Sequence, residues 1–263
     1  MTAAATTLVD LEDVRSHIVA MYRDVAHRPE GEFHFEMGRP LAERLGYPAA
    51  WLDAVPVEAV ESFAGVGHML DLAQLAEGDR VLDLGSGAGT DAFIAGHLVG
   101  PSGHVVGVDM TDAQLAKART LRDRHGHENV AFVQGFVEEP PAEAGGFDAV
   151  VSNGVFNLVP DKARAFAAVA RALRPGGRLA VADIVSARVL RDRTRSNTQL
   201  WAACIAGAVP LEEYITGIEA AGLKVRAVRV NRDYRFVSAR AIGAADWYGV
   251  VSVSIQAVKR DAS

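Results

Sequence analysis

The residues best suited to chemistry stand together in Val81-Leu-Asp-Leu-Gly-Ser-Gly-Ala-Gly-Thr-Asp91. An apolar run ends in a turn carrying Gly85, Gly87 and Gly89, and a helical pattern follows. Glycine serves there because the turn needs unusual backbone angles and because a ligand must lie against bare amides. No Lys-Ser or Lys-Thr pair follows the glycines, which excludes a phosphate-binding P-loop. A dinucleotide turn wants glycine at the first, third and sixth places, whereas here the third glycine is fifth and Thr90 stands sixth. The acid ahead of the turn, Asp83, suits a ligand presenting a cation rather than a pyrophosphate. A second acid, Asp109, ends the next apolar run, from where a carboxylate accepts both hydroxyls of a ribose. By itself such an Asp also serves to cap a helix starting at Thr111. Its place one βα unit beyond the glycine turn favours the ligand.

The elements that must hold these residues alternate from residue 80 onward. Short apolar runs at 80–84, 104–109, 130–133, 147–152 and 178–184 read as buried parallel strands, and helical patterns near 90–99, 112–125 and 160–173 separate them. Such alternation predicts right-handed crossovers with helices on both sheet faces. A helix near 211–221 precedes two further strand-like runs, 224–231 and 249–258, expected to pair as an antiparallel edge hairpin with no helix between them. Upstream, residues 11–26 set Leu11, Val14, Ile18, Val19 and Tyr22 on one helical stripe. Residues 28–40 read as a loop rich in aromatics and turn residues, with short helices near 39–46 and 56–64. We read 1–75 as a helical cap and 76–263 as the ligand-binding domain, because the cap has too few bulky residues to close its own core.

Composition narrows the function classes. The chain of 263 residues carries a formal charge of −6, which repels phosphate backbones. The densest basic stretch, 188–195, is short and reads as a solvated face or as a surface for an anionic substrate. One cysteine, Cys204, excludes an internal disulfide and a zinc site of paired cysteines, and suits a reducing compartment. No apolar run is long enough to span a membrane. The expectation is a cytoplasmic protein, monomer or homodimer, with a small-molecule substrate, no metal and no nucleic-acid or membrane partner.

From about residue 14 to its end the chain resembles the bacterial arsenite-methyltransferase-like branch of the class I methyltransferases. The resemblance rests on Val81 to Asp91, Val106-Gly-Val-Asp-Met-Thr-Asp112, Gln134-Gly-Phe-Val-Glu138, Val151-Ser-Asn-Gly-Val-Phe-Asn-Leu-Val-Pro-Asp-Lys162, Leu173-Arg-Pro-Gly-Gly177 and Leu200-Trp-Ala-Ala-Cys-Ile-Ala-Gly207. It implies a doubly wound, mostly parallel seven-stranded α/β sheet and S-adenosylmethionine as cofactor, whose ammonium group suits the acid at Asp83. It further implies that the cofactor touches Asp83, Gly85, Gly87, Asp91, Asp109, Met110, Gly135, Phe136, Val137, Glu138 and Asn153, with Phe136 and Glu138 at the adenine. Phe136 taken alone also reads as ordinary core.

The resemblance breaks at the acceptor. Arsenite methyltransferases hold trivalent arsenic with three cysteine thiolates, a soft ligand set for a soft centre. Here Val66 and Gly154 occupy two of the three places, and Cys204 alone matches the third, where it reads either as a small buried hydrophobe or as a pocket contact. The chemistry expected is therefore methyl transfer to a thiol, hydroxyl or carbon of a metabolite. Residual metalloid methylation and a non-catalytic cofactor-binding module are the alternatives. A sulfonium methyl is already electrophilic, so catalysis is alignment plus removal of a proton where the acceptor needs it. His34, His68 and Tyr22 are the candidate bases in the cap, although such histidines also serve as surface or structural residues. Asn157, Trp201, Cys204 and Arg235 are the candidate pocket residues, with packing as their other reading.

Overall fold

The computed structural model describes residues 11–31, 33, 35–197, 200–201 and 205–260. Seven strands form one sheet in the order β3-β2-β1-β4-β5-β7-β6. They are β1 (Arg80–Leu84), β2 (His104–Asp109), β3 (Val130–Gln134), β4 (Phe147–Asn153), β5 (Leu173–Val185), β6 (Leu223–Val230) and β7 (Val251–Lys259). The first five run parallel, and β7 pairs antiparallel with both β5 and β6. The order reverses between β1 and β4, so their carboxyl ends splay the loops apart, and in open α/β sheets ligands bind at that crevice.

Before the sheet come α1 (Leu11–His27), α2 (Gly38–Arg44), α3 (Ala49–Asp53), α4 (Val57–Glu61) and α5 (Leu70–Ala73). Within it lie α6 (Thr90–Val99), α7 (Asp112–His125) and α8 (Lys162–Ala172), then α9 (Asp192–Arg195), α10 (Leu211–Ala220) and α11 (Ala239–Tyr248). Local signals place several ends. Asp161 accepts a 2.9 Å bond from the Arg164 amide at the start of α8, and Gly126 closes α7 in the left-handed region, its amide donating to the Arg122 carbonyl. Apolar nearly all round, α6 is accordingly buried between the sheet and the N-terminal helices.

Two apolar clusters cover the two faces. Val14 and Ile18 of α1, Leu41 of α2 and Leu52 of α3 join Phe93 and Leu115 in one, while Phe166 of α8 and Tyr214 of α10 join Leu82 and Val150 in the other. The N-terminal helices thus share a core with the sheet.

Two expectations fail at the carboxyl end. The antiparallel pairing of the last two strands is present, but α11 lies between them, and β7 is an inner strand rather than part of an edge hairpin. The Ala-rich stretch Ala239–Tyr248 forms this helix with Ser238 as its cap, accepting from the Ala241 amide at 3.2 Å. β5 also starts earlier than expected, at Leu173 directly after α8, where Leu173 pairs with Phe147 ahead of a register shift. Among the described residues no helix is long and apolar enough to cross a membrane.

Candidate active site

A cleft opens at the carboxyl ends of β1, β2 and β4. All eleven residues expected to meet the cofactor line it. The glycine turn forms its floor. Gly85, Gly87 and Gly89 have φ of 76°, 54° and 96°, the left-handed region that a side chain disfavours. A Cβ on Gly85 would also lie 2.3 Å from a methyl of Val155. The amides of Gly85 and Ser86 both donate to the Val108 carbonyl, at 2.7 and 3.0 Å, which ties the turn to β2.

Three carboxylates converge on this floor. Asp83 and Asp91 are 2% and 7% exposed. Burial, and then the charges of Asp91 and Asp109, hold the Asp83 carboxyl well above the usual carboxylate range. Burial likewise raises Asp91 to about 6, against bonds from Tyr47 and Asn153 that favour its charge. Asp109 is raised by burial and opposed by backbone donors. One of its oxygens accepts from the Gly87 amide at 3.0 Å and the other from the Thr111 amide at 2.8 Å. Asp109 therefore organises the turn and the start of α7 as well as facing the cleft. Buried acids at such spacing are stable as anions only beside a cation.

Among the described residues, the buried Asp83 Oδ2, Ser86 Oγ and Gln114 Oε1 of the cleft have no protein hydrogen-bond partner. Buried polar atoms are normally paired, so these acceptors suit a ligand that brings donors. A molecule carrying an ammonium, a sulfonium and a ribose matches the set. The residues present fit S-adenosylmethionine.

A residue that sequence reasoning missed holds Asp91. The buried Tyr47 hydroxyl donates to Asp91 Oδ1 at 2.6 Å, and Asn153 Nδ2 donates to Asp91 Oδ2 at 3.1 Å and to the Gly67 carbonyl at 2.9 Å. Asn153 Oδ1 accepts from the Val66 amide at 2.8 Å. Residues 66–68 are strapped further to β7, with Ser252 donating to the Val66 carbonyl at 2.5 Å and Ser254 to that of His68 at 3.2 Å. Tyr47 sits outside every motif in the sequence, and its tyrosine type carried no local signal.

The remaining sequence candidates separate. Tyr22 lines the cleft and stacks at 6.2 Å on Phe35. His68 does not line it. Its ring packs against Tyr47 and Trp51, and burial lowers its pKa. Asn157 is fully buried, donates to Asp183, and lies behind the cleft wall rather than in it. Trp201 is buried with its indole N–H on the Arg195 carbonyl at 2.7 Å, and Arg235 is exposed away from the cleft. His34 and Cys204 lie outside the described residues. Val66 is buried, and a Cβ on Gly154 would lie 3.3 Å from its Cγ1, so these two positions adjoin.

Comparison with known proteins agrees with this geometry. The methyltransferase domain family matches residues 75–237. An arsenic(III) S-adenosylmethionine methyltransferase from Chlamydomonas reinhardtii superposes with a TM-score of 0.67 at 32% identity, covering 86% of this chain and 75% of that one. The chain belongs to the S-adenosylmethionine-dependent methyltransferases. This methyltransferase is also 39% identical over 183 residues to arsenite methyltransferase of Halobacterium salinarum, across 70% of this chain and 46% of that protein. With the human arsenite methyltransferase it shares 37% identity over 172 residues, 62% of this chain and 45% of the relative. The chain thus spans about half the length of the curated relatives it matches. S-adenosylmethionine is the cofactor, and the sheet order is that of the class I methyltransferase fold.

Proposed function

We propose that this protein transfers the methyl group of S-adenosylmethionine to a small-molecule nucleophile, a thiol, hydroxyl or carbon of a metabolite. The observation that carries the reading is the cluster of buried acids around an unpartnered Asp83 oxygen at the end of β1. Bound there, the cofactor supplies a methyl on a positively charged sulfur that leaves with its bonding pair. Asp83 and Asp91 face the ammonium group, Asp109 takes the ribose hydroxyls, and Phe136, Val137 and Glu138 receive the adenine. Asn153 and Tyr47 fix Asp91 from behind. The N-terminal helices act as a cap whose α1 lines the cleft, where Ile18, Tyr22 and Phe63 join Val155, Leu158 and Val159. Those walls are largely apolar, so an acceptor is held by shape and drained of water, which aligns its lone pair with the carbon–sulfur bond. We place the protein in the cytoplasm.

A second reading, methylation of trivalent arsenic, draws on the activity for which the relatives are named. It meets an obstacle at Val66 and Gly154, which bring no sulfur to the place where two thiolates would adjoin. Titration calorimetry with S-adenosylmethionine and S-adenosylhomocysteine tests the cofactor site. A screen of thiols, phenols and arsenite with excess glutathione, read as S-adenosylhomocysteine formed, tests the transfer. Binding with turnover on an organic acceptor supports the proposal. Turnover on arsenite alone supports the second reading, and binding without turnover on any acceptor leaves a cofactor-binding module.

A further inference from the structure

The first helix is anchored unequally. In its second half, Gln114 donates to the Tyr22 carbonyl at 2.9 Å and Lys117 to that of Ala26 at 3.3 Å, pinning it to α7. In its first half, Arg15 reaches across the mouth of the cleft. Its guanidinium donates to Glu138 Oε1 at 3.1 Å and lies 4.9 Å from the centre of the Phe136 ring. The side chain of Glu138 is 12% exposed against 44% for Arg15. Phe136 is 47% exposed, a large aromatic face turned to the cleft.

We propose that Arg15 is a cofactor-binding residue, a clasp by which α1 closes over the adenine held at Phe136 and Glu138. The inference rests on the reading of the cleft as the S-adenosylmethionine site. A purine layer is about 3.5 Å thick, so it does not fit between the guanidinium and the ring as they now stand. The guanidinium must swing out by about that thickness, pivoting about its bond to Glu138 while α1 stays held by Val14 and Ile18 in the core, and Arg15 then bears on the outer face of the base. A planar cation suits that face, and its bond to Glu138 orients the carboxylate toward the exocyclic amino group. Residue 15 lies far from the glycine turn in sequence, and only the packing of α1 on α7 brings it there.

The test is the binding of S-adenosylhomocysteine to the full chain, by calorimetry and by stopped-flow fluorescence, in wild type, Arg15→Ala, Arg15→Lys and Glu138→Gln. The ion pair to Glu138 is made before the ligand arrives, so the new contact with the base is what counts, and Arg15→Ala is expected to weaken binding about twofold to fivefold, mostly through faster dissociation. Arg15→Lys, which keeps the charge and loses the planar face, falls between. In Arg15→Ala/Glu138→Gln the losses are smaller than additive, because the two side chains act as one unit. Unchanged thermal melting of the unliganded variants removes misfolding as the cause. Affinity in Arg15→Ala that is unchanged, or tighter, overturns the clasp while leaving the cofactor site intact. Failure of the wild type to bind at all overturns both.

Discussion

Acidification should weaken cofactor binding while strengthening the unliganded fold, and both effects trace to Asp91. With its carboxyl at about 6, Asp91 passes from about nine-tenths to about one-tenth ionised between pH 7 and pH 5. A ligand cation binds the ionised form, so the affinity for S-adenosylhomocysteine should fall about tenfold over that interval, with proton release on binding near pH 6. The folded-state value lies above the ordinary 3.8. A raised acid stabilises the fold fully below its unfolded value and loses that contribution as pH rises through the folded one. Going from pH 7 to 5 therefore returns about 1 kcal/mol to the unliganded protein. Asp183, also raised to about 6 by burial, adds a contribution of the same sign. The assay is calorimetry at pH 5 to 7.5 in two buffers of different ionisation enthalpy, beside melting curves with and without ligand. Asp91→Asn should flatten the affinity profile and leave the Asp183 part of the stability profile. Affinity that is flat over this range in the wild type would refute the reasoning, since the acid would then not be the partner of the ligand's charge.

Gly85→Ala should abolish cofactor binding and cost about 1–2 kcal/mol for the left-handed backbone alone, measured by urea unfolding. Adding Val155→Ala relieves the 2.3 Å collision and recovers part of the stability, while the backbone strain remains. Asp183→Ala should destabilise by about 2–6 kcal/mol, because it strips the buried Tyr214 hydroxyl and Asn157 amide of their shared acceptor, at about 1–3 kcal/mol each. Asp183→Asn should lose less in the same urea titration. Val66→Cys/Gly154→Cys should bind arsenite through two adjoining thiolates, read as arsenite-protected thiols in a thiol titration. A stability loss of about 1–2 kcal/mol should accompany it, from the positive φ of Gly154.

The fold was legible wherever one local rule decided the matter. The apolar runs at 80–84 and 104–109 became β1 and β2 at the expected bounds, because strands buried on both faces read as nearly continuous apolar runs, broken here at Asp83 where the site begins. The glycine turn and its two acids were legible because their spacing is a demand of the ligand rather than of the core. What the sequence withheld was long-range. Ala239–Tyr248 is too poor in large apolar residues to announce a helical stripe, and its helix is fixed by the Ser238 cap and by the packing of Ala241, Ala245 and Tyr248 into the core. Tyr47 and Arg15 act at the site only through the packing of α1 and α2, which no spacing encodes. Asn157, placed by its motif near a strand end, turned inward because Asp183 is buried beneath it and needs a donor.

The position of β7 has a consequence for how the molecule is made. β7 follows β5 and β6 in the chain yet lies between them, pairing with β5 from Arg178↔Val258 to Val185↔Val251 and with β6 on its other edge. Until residues 251–259 leave the ribosome, β5 presents a long apolar rim with open hydrogen-bonding groups, and β6 has nothing to join. Strap residues 66–68 wait as well, since their anchors Ser252 and Ser254 are made long after them. A nascent chain stalled, or a transcript cut, shortly before residue 251 would therefore hold the parallel part of the sheet with a sticky open flank. Such intermediates are the ones chaperones and proteases recognise.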